Sequence, residues 1–232
     1  MFLSVPIIVL YIPILNSFNN TVLSYETCEG EINNQTLINL GFNKVKPSIL
    51  MNIKLNDYNK NIQVDKIKYN LENDYKLLKK VNSIYNSNID KINITCQKVI
   101  LKKDEELRCE IQNSIFSATT RVPLEIQDIE TDIEQDYYIE NLSLFIKIND
   151  IAIGYVQIIF NRDMYTVVNF GIIKEFRKYG FGKILLNQLI FEAKENGIYE
   201  LFIRVEENNF NALKLYNWIG FRPKSIINKW ER

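Results

Sequence analysis

The sequence contains no histidine among its 232 residues, and this absence narrows the chemistry that the chain can perform. It excludes Ser-His-Asp and Cys-His nucleophilic pairs, zinc sites of the HExxH type and histidine general bases. Glycine and proline number only 8 and 5, and no stretch is rich enough in them to form a clear linker. Catalysis would therefore depend on carboxylates, tyrosine, lysine, cysteine, water or main-chain dipoles.

The chain also lacks an excess of either charge. Lys and Arg number 28 and Asp and Glu 28, so we expect no nucleic-acid partner, because phosphate contacts need a basic excess. Cys28, Cys96 and Cys109 are widely spaced without a C-x-x-C pair. This pattern favours reduced thiols in the cytoplasm over a disulfide framework or a bound metal. Hydrophobic residues make up 47% of the sequence, which is enough to fill a core.

Residues 1–15, MFLSVPIIVLYIPIL, are strongly apolar and admit two interpretations. A signal peptide would have a basic residue before the apolar run and a small-residue cleavage site after it, and neither is present. The run is also shorter than the roughly 20 residues needed to cross a bilayer. We therefore expect a buried strand here, a cytoplasmic location and no membrane partner.

Hydrophobic periodicity after residue 60 predicts a mixed sheet with helices packed on it. The predicted strands cover 63–69, 93–101, 142–148, 151–160, 165–173, 201–205 and 221–230. The predicted helices cover 71–85, 103–117, part of 121–139, 182–195 and 209–218. Asn149 and Asp150 form a hairpin between two strands, and Gly197 is a stop signal for one helix. The polar stretch 56–61 marks a boundary between domains 1–60 and 61–232.

The segment RKYGFGK at 177–183 follows a predicted strand and opens a predicted helix. Gly180 and Gly182 allow a sharp turn and a close approach of N–H groups to a ligand. The first turn of a helix adds about four unpaired N–H donors and positive partial charge, a combination that can cradle a phosphate or pyrophosphate. Arg177 and Leu185 occupy positions where Walker and Rossmann motifs need glycine, and no G-x-S-x-G occurs. Glycines that serve only strand-to-helix packing remain the alternative.

A second motif, N-x-x-A-x-x-x-Y-x-x-x-G-F, runs from Asn209 to Phe221. The ordered pair, R-x-x-G-x-G and then this motif, resembles the GNAT superfamily of acetyl-CoA-dependent N-acetyltransferases. The resemblance covers 142–230 and extends back to about residue 63. It implies an α/β (α+β) fold with a mixed, mostly antiparallel central sheet flanked by helices. It also implies an acyltransferase that moves an acetyl group from acetyl-CoA to a primary amine of a small molecule or protein.

The resemblance assigns roles to individual residues, with no metal among them. It implies that residues 170–172 pair with the pantetheine amides, that the loop holds the pyrophosphate, and that Asn209 contacts the cofactor arm. The residues expected to bind coenzyme A are Phe170, Gly171, Ile172, Arg177, Lys178, Tyr179, Gly180, Phe181, Gly182, Lys183 and Asn209. Tyr216 would protonate the departing thiolate, a role that suits a hydroxyl with a pKa of about 10. A core tyrosine is the alternative for Tyr216.

The general base is the role that the motifs leave open. Residues 166–171 contain no carboxylate, and Arg204 stands where the branch acetylating protein N-termini commonly has a glutamate. Glu206 and Glu207 lie just past the predicted strand 201–205, and Glu206 is the candidate base. Two exposed charges beside a turn, a water chain or an already neutral amine are the alternatives. A catalytically silent coenzyme A-binding or regulatory module on the same fold is therefore the alternative function.

The acidic insert and the N-terminal region carry weaker signals. The insert around 103–139 contains Glu125, Asp128, Glu130, Asp132 and Glu134. These residues would form an acidic rim for a cationic amine or simply a solvated helix face. Residues 34–42 faintly echo 209–221, with 5–14 as the counterpart of strand 201–205. Domain 1–60 is thus either a partial, degenerate second GNAT-like unit or an extension that completes the sheet or makes a homodimer contact.

Overall fold

The structure is a computed structural model that describes residues 23–28, 34–56, 58, 62–117 and 122–232. The expectations for residues 1–15, including a strand at 5–14, lie outside these ranges, as does the side chain of Cys28. Among the helices within them, none has the length and apolar character required to span a membrane.

The described residues form nine strands, seven α-helices and one 3₁₀ helix. The strands are β1 (Ser24–Cys28), β2 (Asn43–Lys44), β3 (Ser48–Lys54), β4 (Ile94–Lys98), β5 (Tyr138–Ile148), β6 (Ile151–Asn161), β7 (Met164–Ile172), β8 (Glu200–Glu206) and β9 (Arg222–Glu231). The α-helices are α1 (Asn34–Asn39), α2 (Ile62–Glu72), α3 (Tyr75–Tyr85), α4 (Glu105–Phe116), α5 (Ile126–Ile133), α6 (Phe181–Glu195) and α7 (Phe210–Ile219). The 3₁₀ helix covers Lys174–Phe176. The chain divides into a terminal unit, residues 1–52 with 203–232, and a central unit, residues 53–202.

Strands from both ends of the chain form the sheet of the terminal unit, in the order β1-β9-β3-β8. β9 runs antiparallel to β1, with Tyr25 opposite Trp230, and antiparallel to β3, with Ile49 opposite Ile226. Tyr25 and Trp230 are buried together with Leu37 of α1. The described N-terminal strands therefore extend the sheet of the C-terminal ones. Their origin as a degenerate repeat, and the boundary at residue 60, stay predictions.

The central unit contains an antiparallel meander in the order β7-β6-β5-β4. Ile148 pairs with Ile151 across the predicted hairpin, and Asn149 adopts the left-handed φ of +54° that asparagine tolerates in tight turns. Five consecutive residues of β5 are buried, so both faces of the sheet are covered there. α6 packs on β5 and β6, and α4 packs on β6 and β7. The predicted fold class, a mostly antiparallel sheet with packed helices, is confirmed.

The predicted strand at 63–69 is wrong, because these residues lie in α2. Val64 and Leu71 are both buried, and their separation by seven residues is the spacing of one helix face. The predicted helix 71–85 is divided between α2 and α3. Asp74 begins α3 by accepting hydrogen bonds from the N–H groups of Lys76 and Leu77 at 2.8 and 3.2 Å.

Candidate functional site

The loop between β7 and α6 turns through two residues with left-handed backbone. Lys178 has a φ of +69°, and Gly180 has a φ of +108°, which residues with side chains rarely adopt. A Cβ atom at position 180 would also lie 2.9 Å from Cγ2 of Ile67 on α2. Two independent constraints therefore require glycine here: the backbone turn and the close packing of α2.

The main-chain N–H groups from Lys178 to Gly182 have no hydrogen-bond acceptor among the described residues. The helical bonding of α6 starts after them, where Lys183 N donates to Gly180 O at 2.9 Å. These donors lie at the positive end of a 15-residue helix and beside two left-handed residues. Consecutive N–H groups in such a turn bind anions, and phosphates in particular. The loop therefore offers the donors that a phosphate group requires.

The side chain of Arg177 braces this loop against the protein itself. Its Nε donates to the carbonyl oxygen of Ile172 at 2.8 Å, and its Nη2 donates to that of Ile115 at 2.9 Å. Ile115 lies in the last turn of α4, where carbonyl groups lack helical partners and attract cations. Arg177 thus joins the ends of β7 and α4. These two bonds use two of the five N–H donors of its guanidinium.

A lysine that no local motif indicates also reaches the loop. Lys80 of α3 donates from Nζ to the carbonyl oxygen of Glu175 and to the Tyr179 hydroxyl, the latter at 3.3 Å. Its ammonium lies 4.9 Å from the ring centre of Tyr179 and 5.6 Å from that of Phe176. The amphipathic face of α3 indicates that this helix packs on the protein, but it does not indicate which residue reaches the loop.

The strand that precedes the loop is interrupted by a bulge. Asn169 has a φ of +52°, and the register of β7 on β6 shifts opposite residues 155–157. A bulge bends the strand and redirects the residues after it, here Phe170 to Ile172. A Cβ atom at Gly171 would lie only 2.2 Å from Cγ2 of Ile115, so α4 packs directly on the backbone at this point.

A buried polar cluster connects α4, α5 and β6 to this bulge. Arg108, with 1% of its surface exposed, forms an ion pair with Asp132 and donates to Gln157 Oε1 at 3.0 Å. Gln157 Oε1 also accepts hydrogen bonds from Tyr155 at 3.1 Å and from Asn169 at 3.4 Å. Burial raises the pKa of the Tyr155 hydroxyl, which therefore stays protonated.

The acidic residues of the insert lie in two different environments, one inside this cluster and one in solvent. Asp132 turns towards Arg108, and its other carboxylate oxygen accepts a hydrogen bond from the Tyr137 hydroxyl at 2.7 Å. The other four acidic residues of the expected rim are exposed: Glu125, Asp128, Glu130 and Glu134. Glu125 and Asp128 form the capping box of α5, which gives both a structural role.

Arg108→Ala is expected to lower the free energy of unfolding by about 3–5 kcal/mol, because it leaves the Asp132 carboxylate and Gln157 without their buried partner. Urea denaturation measures the change. Lys98→Ala is the control, since Lys98 forms its 2.8 Å ion pair with Glu192 from a side chain that is 43% exposed. Such surface pairs contribute up to about 1 kcal/mol. Equal losses for the two variants would contradict the structural importance of the cluster.

The remaining predicted site residues lie in the terminal unit. Asn209 begins α7, and its Oδ1 accepts a hydrogen bond from Ala212 N at 3.2 Å, so the side chain caps the helix. Tyr216 is 7% exposed, and burial raises the pKa of its hydroxyl to about 12. Glu206 is exposed at the end of β8. The structure thus groups 170–172 and 177–183 in the central unit, and these three residues in the terminal unit.

Arg204 has a structural partner in the terminal unit. Its Nη1 lies 2.7 Å from Glu26 Oε1 on β1, and its Nε donates to Ser48 Oγ on β3 at 2.5 Å. Arg204 stands where the N-terminal-acetyltransferase branch commonly has a glutamate. Here it connects β8 to the N-terminal strands. The structure provides a reason for the arginine without supplying a base in its place.

Comparison with known proteins finds a family match over about half of the chain. Residues 110–221 match the model of the Acetyltransferase (GNAT) family. Over 64 residues the chain is 42% identical to a [ribosomal protein bS18]-alanine N-acetyltransferase of Haemophilus influenzae, which covers 28% of this chain and 43% of that protein. The chain therefore spans less than half the length of the curated relatives it matches.

Solved structures share the fold over most of the chain. A GCN5-related N-acetyltransferase from Sphaerobacter thermophilus aligns with a TM-score of 0.66 and 15% identity, covering 91% of this chain and 59% of that one. Another from Kribbella flavida aligns with a TM-score of 0.56 and 13% identity, covering 90% and 67%. At these identities the similarity establishes the fold alone.

Proposed function

The chain belongs to the GNAT acetyltransferase family, and on that premise we propose that it transfers an acetyl group from acetyl-CoA to a primary amine. The observation that supports this function most strongly is the run of unpartnered N–H groups from Lys178 to Gly182. Gly180 maintains the turn, because a Cβ atom at this position would collide with Ile67.

In the proposed mechanism, the main chain performs most of the binding. The loop residues 178–183 hold the diphosphate, and residues 170–172 hydrogen-bond the pantetheine amides. A main-chain N–H of the same strand end polarises the acyl carbonyl, since a fixed donor in a dry site stabilises developing negative charge. The coenzyme supplies the activated acetyl group as a thioester. Arg177 keeps the loop and the strand end in register through its two carbonyl contacts.

Proton transfer is assigned to two residues of the terminal unit. Tyr216 donates a proton to the departing sulfur, and its raised pKa keeps that proton in place at neutral pH. Glu206 accepts the proton of the amine, directly or through water. Asn209 contacts the cofactor arm through its Nδ2, because its Oδ1 caps α7.

The acceptor is a primary amine of a protein or a small molecule, and the chain acts in the cytoplasm. A protein amine is the first acceptor to test, because the Haemophilus influenzae relative is named for an alanine of ribosomal protein bS18. The contacts of Arg204 favour an acceptor environment different from that of the N-terminal-acetyltransferase branch.

A catalytically silent coenzyme A-binding module is the second candidate. The exposure of Glu206 favours it, because an exposed carboxylate is solvated and less suited to act as a base.

The test is turnover of acetyl-CoA by the full chain against a panel of amines. The panel combines peptides with free N-termini, peptides with internal lysine, polyamines and amino sugars. Thiol release and mass spectrometry of the acceptor follow the reaction. Burial raises the pKa of the Cys96 thiol to about 12, so this cysteine should react slowly with the thiol reagent, and an acceptor-free blank corrects for the others.

We expect acetylated product from at least one amine class. Coenzyme binding in calorimetry without turnover on any class would favour the silent module. Failure to bind coenzyme A at all would contradict both candidates.

A further inference from the structure

The ammonium of Lys80 lies against the loop of residues 177–183 and has no role in the mechanism proposed above. We propose that Lys80 is a further coenzyme-binding residue that contacts the diphosphate, next to the N–H groups of residues 178–182. This inference rests on the proposed function, since it needs the diphosphate to lie at the start of α6.

The position of the ammonium is fixed by the loop. Lys80 Nζ donates to the Glu175 carbonyl oxygen, which precedes the unpartnered N–H groups, and to the Tyr179 hydroxyl, which belongs to the same turn. The ring faces of Tyr179 and Phe176 restrict it further. An ammonium has three N–H donors, and these two acceptors use two of them. The third donor can bind a ligand oxygen.

The charge of Lys80 is not compensated by a neighbouring carboxylate. Among the described residues, no carboxylate oxygen lies within 4.0 Å of its Nζ. Both of its acceptors are neutral, and the side chain is half-buried. A fixed cation that has lost part of its hydration without gaining an anion binds an incoming anion more favourably than a free surface lysine does.

Arg177, Lys178 and Lys183 are the other cations expected at this loop, and part of the Arg177 guanidinium binds the protein itself. The guanidinium of Arg177 binds the carbonyl oxygens of Ile172 and Ile115. The negative group closest along the loop is the Glu175 side chain, which is exposed. Burial raises the pKa of the Tyr85 hydroxyl on α3, and the charge of Glu175 adds to this effect. Lys80 therefore supplies a positive charge on the side of the loop that faces α3.

Lys80 also lies outside the part of the chain that matches the family model, residues 110–221. It is separated from Glu175 by 95 residues. α2 contacts the same turn, through Ile67 and Gly180. Helices α2 and α3 thus both contact this loop from outside the region matched by the family model.

The experiment measures binding of coenzyme A, 3′-dephospho-coenzyme A and pantetheine to the full chain by calorimetry. Lys80→Met should weaken binding of both phosphate-bearing ligands about tenfold, the lower end expected for loss of a hydrogen bond to a charged group. Pantetheine, which has no phosphate, should bind unchanged. The dependence of affinity on salt should also become shallower, because one cation fewer interacts with the ligand.

Lys79→Met is the matched control. Lys79 is the neighbouring lysine on α3, and its Nζ lies 4.7 Å over the Tyr75 ring. This variant removes the same charge from the same helix, and its affinities should equal those of the parent. Lys80→Gln retains a hydrogen-bond donor for the loop while removing the charge, so it separates the two contributions. Thermal melting of each ligand-free variant shows whether the fold is retained.

Results of three kinds would overturn the proposal. Equal affinity of the parent and Lys80→Met for coenzyme A would remove Lys80 from the site. An equal loss for pantetheine, or full recovery in Lys80→Gln with the parent's salt dependence, would assign Lys80 to loop support alone. Failure of the parent to bind coenzyme A would contradict the proposed function as well, whereas the first two outcomes leave that function intact.

Discussion

Gly180→Glu is expected to abolish coenzyme A binding, with an affinity loss of more than about a hundredfold. Three effects act together at this position. The φ of +108° disfavours any side chain, the new Cβ would collide with Ile67, and the carboxylate would repel the diphosphate. Calorimetry with coenzyme A measures the loss. Parent-like affinity would show that the diphosphate does not bind at the start of α6.

Gly197→Glu is a matched control at the other end of the same helix. Gly197 also has a left-handed backbone, with a φ of +75°, but a Cβ there would meet no atom within 4 Å. This variant therefore introduces the same charge and a similar backbone strain without touching the loop. We expect a stability loss of about 1 kcal/mol and coenzyme affinity within twofold of the parent. An equal affinity loss in both variants would indicate a general defect of α6.

Tyr216→Phe is expected to slow acetyl transfer by about a hundredfold or more, while coenzyme affinity changes little. General acid catalysis typically contributes factors of about 10² to 10⁴, and the ring of phenylalanine preserves the packing on Phe221. Single-turnover kinetics with acetyl-CoA and the best acceptor measure the effect. Tyr199→Phe is the control, because Tyr199 is 73% exposed and has no assigned role. Equal rates for Tyr216→Phe and the parent would remove this tyrosine from the mechanism.

The pH dependence of the parent supplies a second measurement on Tyr216. Burial raises the pKa of its hydroxyl from 10.0 to about 12, so the donor stays protonated through the alkaline range. Loss of this proton should therefore not lower the transfer rate below about pH 11. The sign for stability follows from the raised pKa. The contribution of Tyr216 to the free energy of unfolding is complete below pH 10 and is lost as the pH rises towards 12.

The candidate site divides into a part that local sequence encodes and a part that it does not. The turn at Gly180 and the cap at Asn209 depend on backbone conformation and on bonds between near neighbours, so short motifs record them. The contact of Lys80 with Glu175 spans 95 residues, and that of Arg177 with Ile115 spans 62. Such contacts are formed by tertiary packing, and a single sequence contains no periodic signal for them.

The fold shows the same limit. Segments that have only one compatible period, such as α6 and the hairpin at Asn149, are predicted well, because their burial pattern matches their local conformation. α2 is predicted wrongly, since the β-branched residues of QVDKIKY also suit a strand, and only packing selects the helix. The sequence places Asp132 in an acidic rim or a solvated helix face, whereas the distant residue Arg108 turns it inward.

The sheet of the terminal unit has a consequence for synthesis of the protein. β1 and β3 leave the ribosome long before β9, the strand that pairs with both of them. Until β9 has been synthesised, these early strands lack their partner and keep unpaired edges that are prone to aggregation. A version shortened to the family region, residues 110–221, would contain none of these three strands and could not form this part of the sheet.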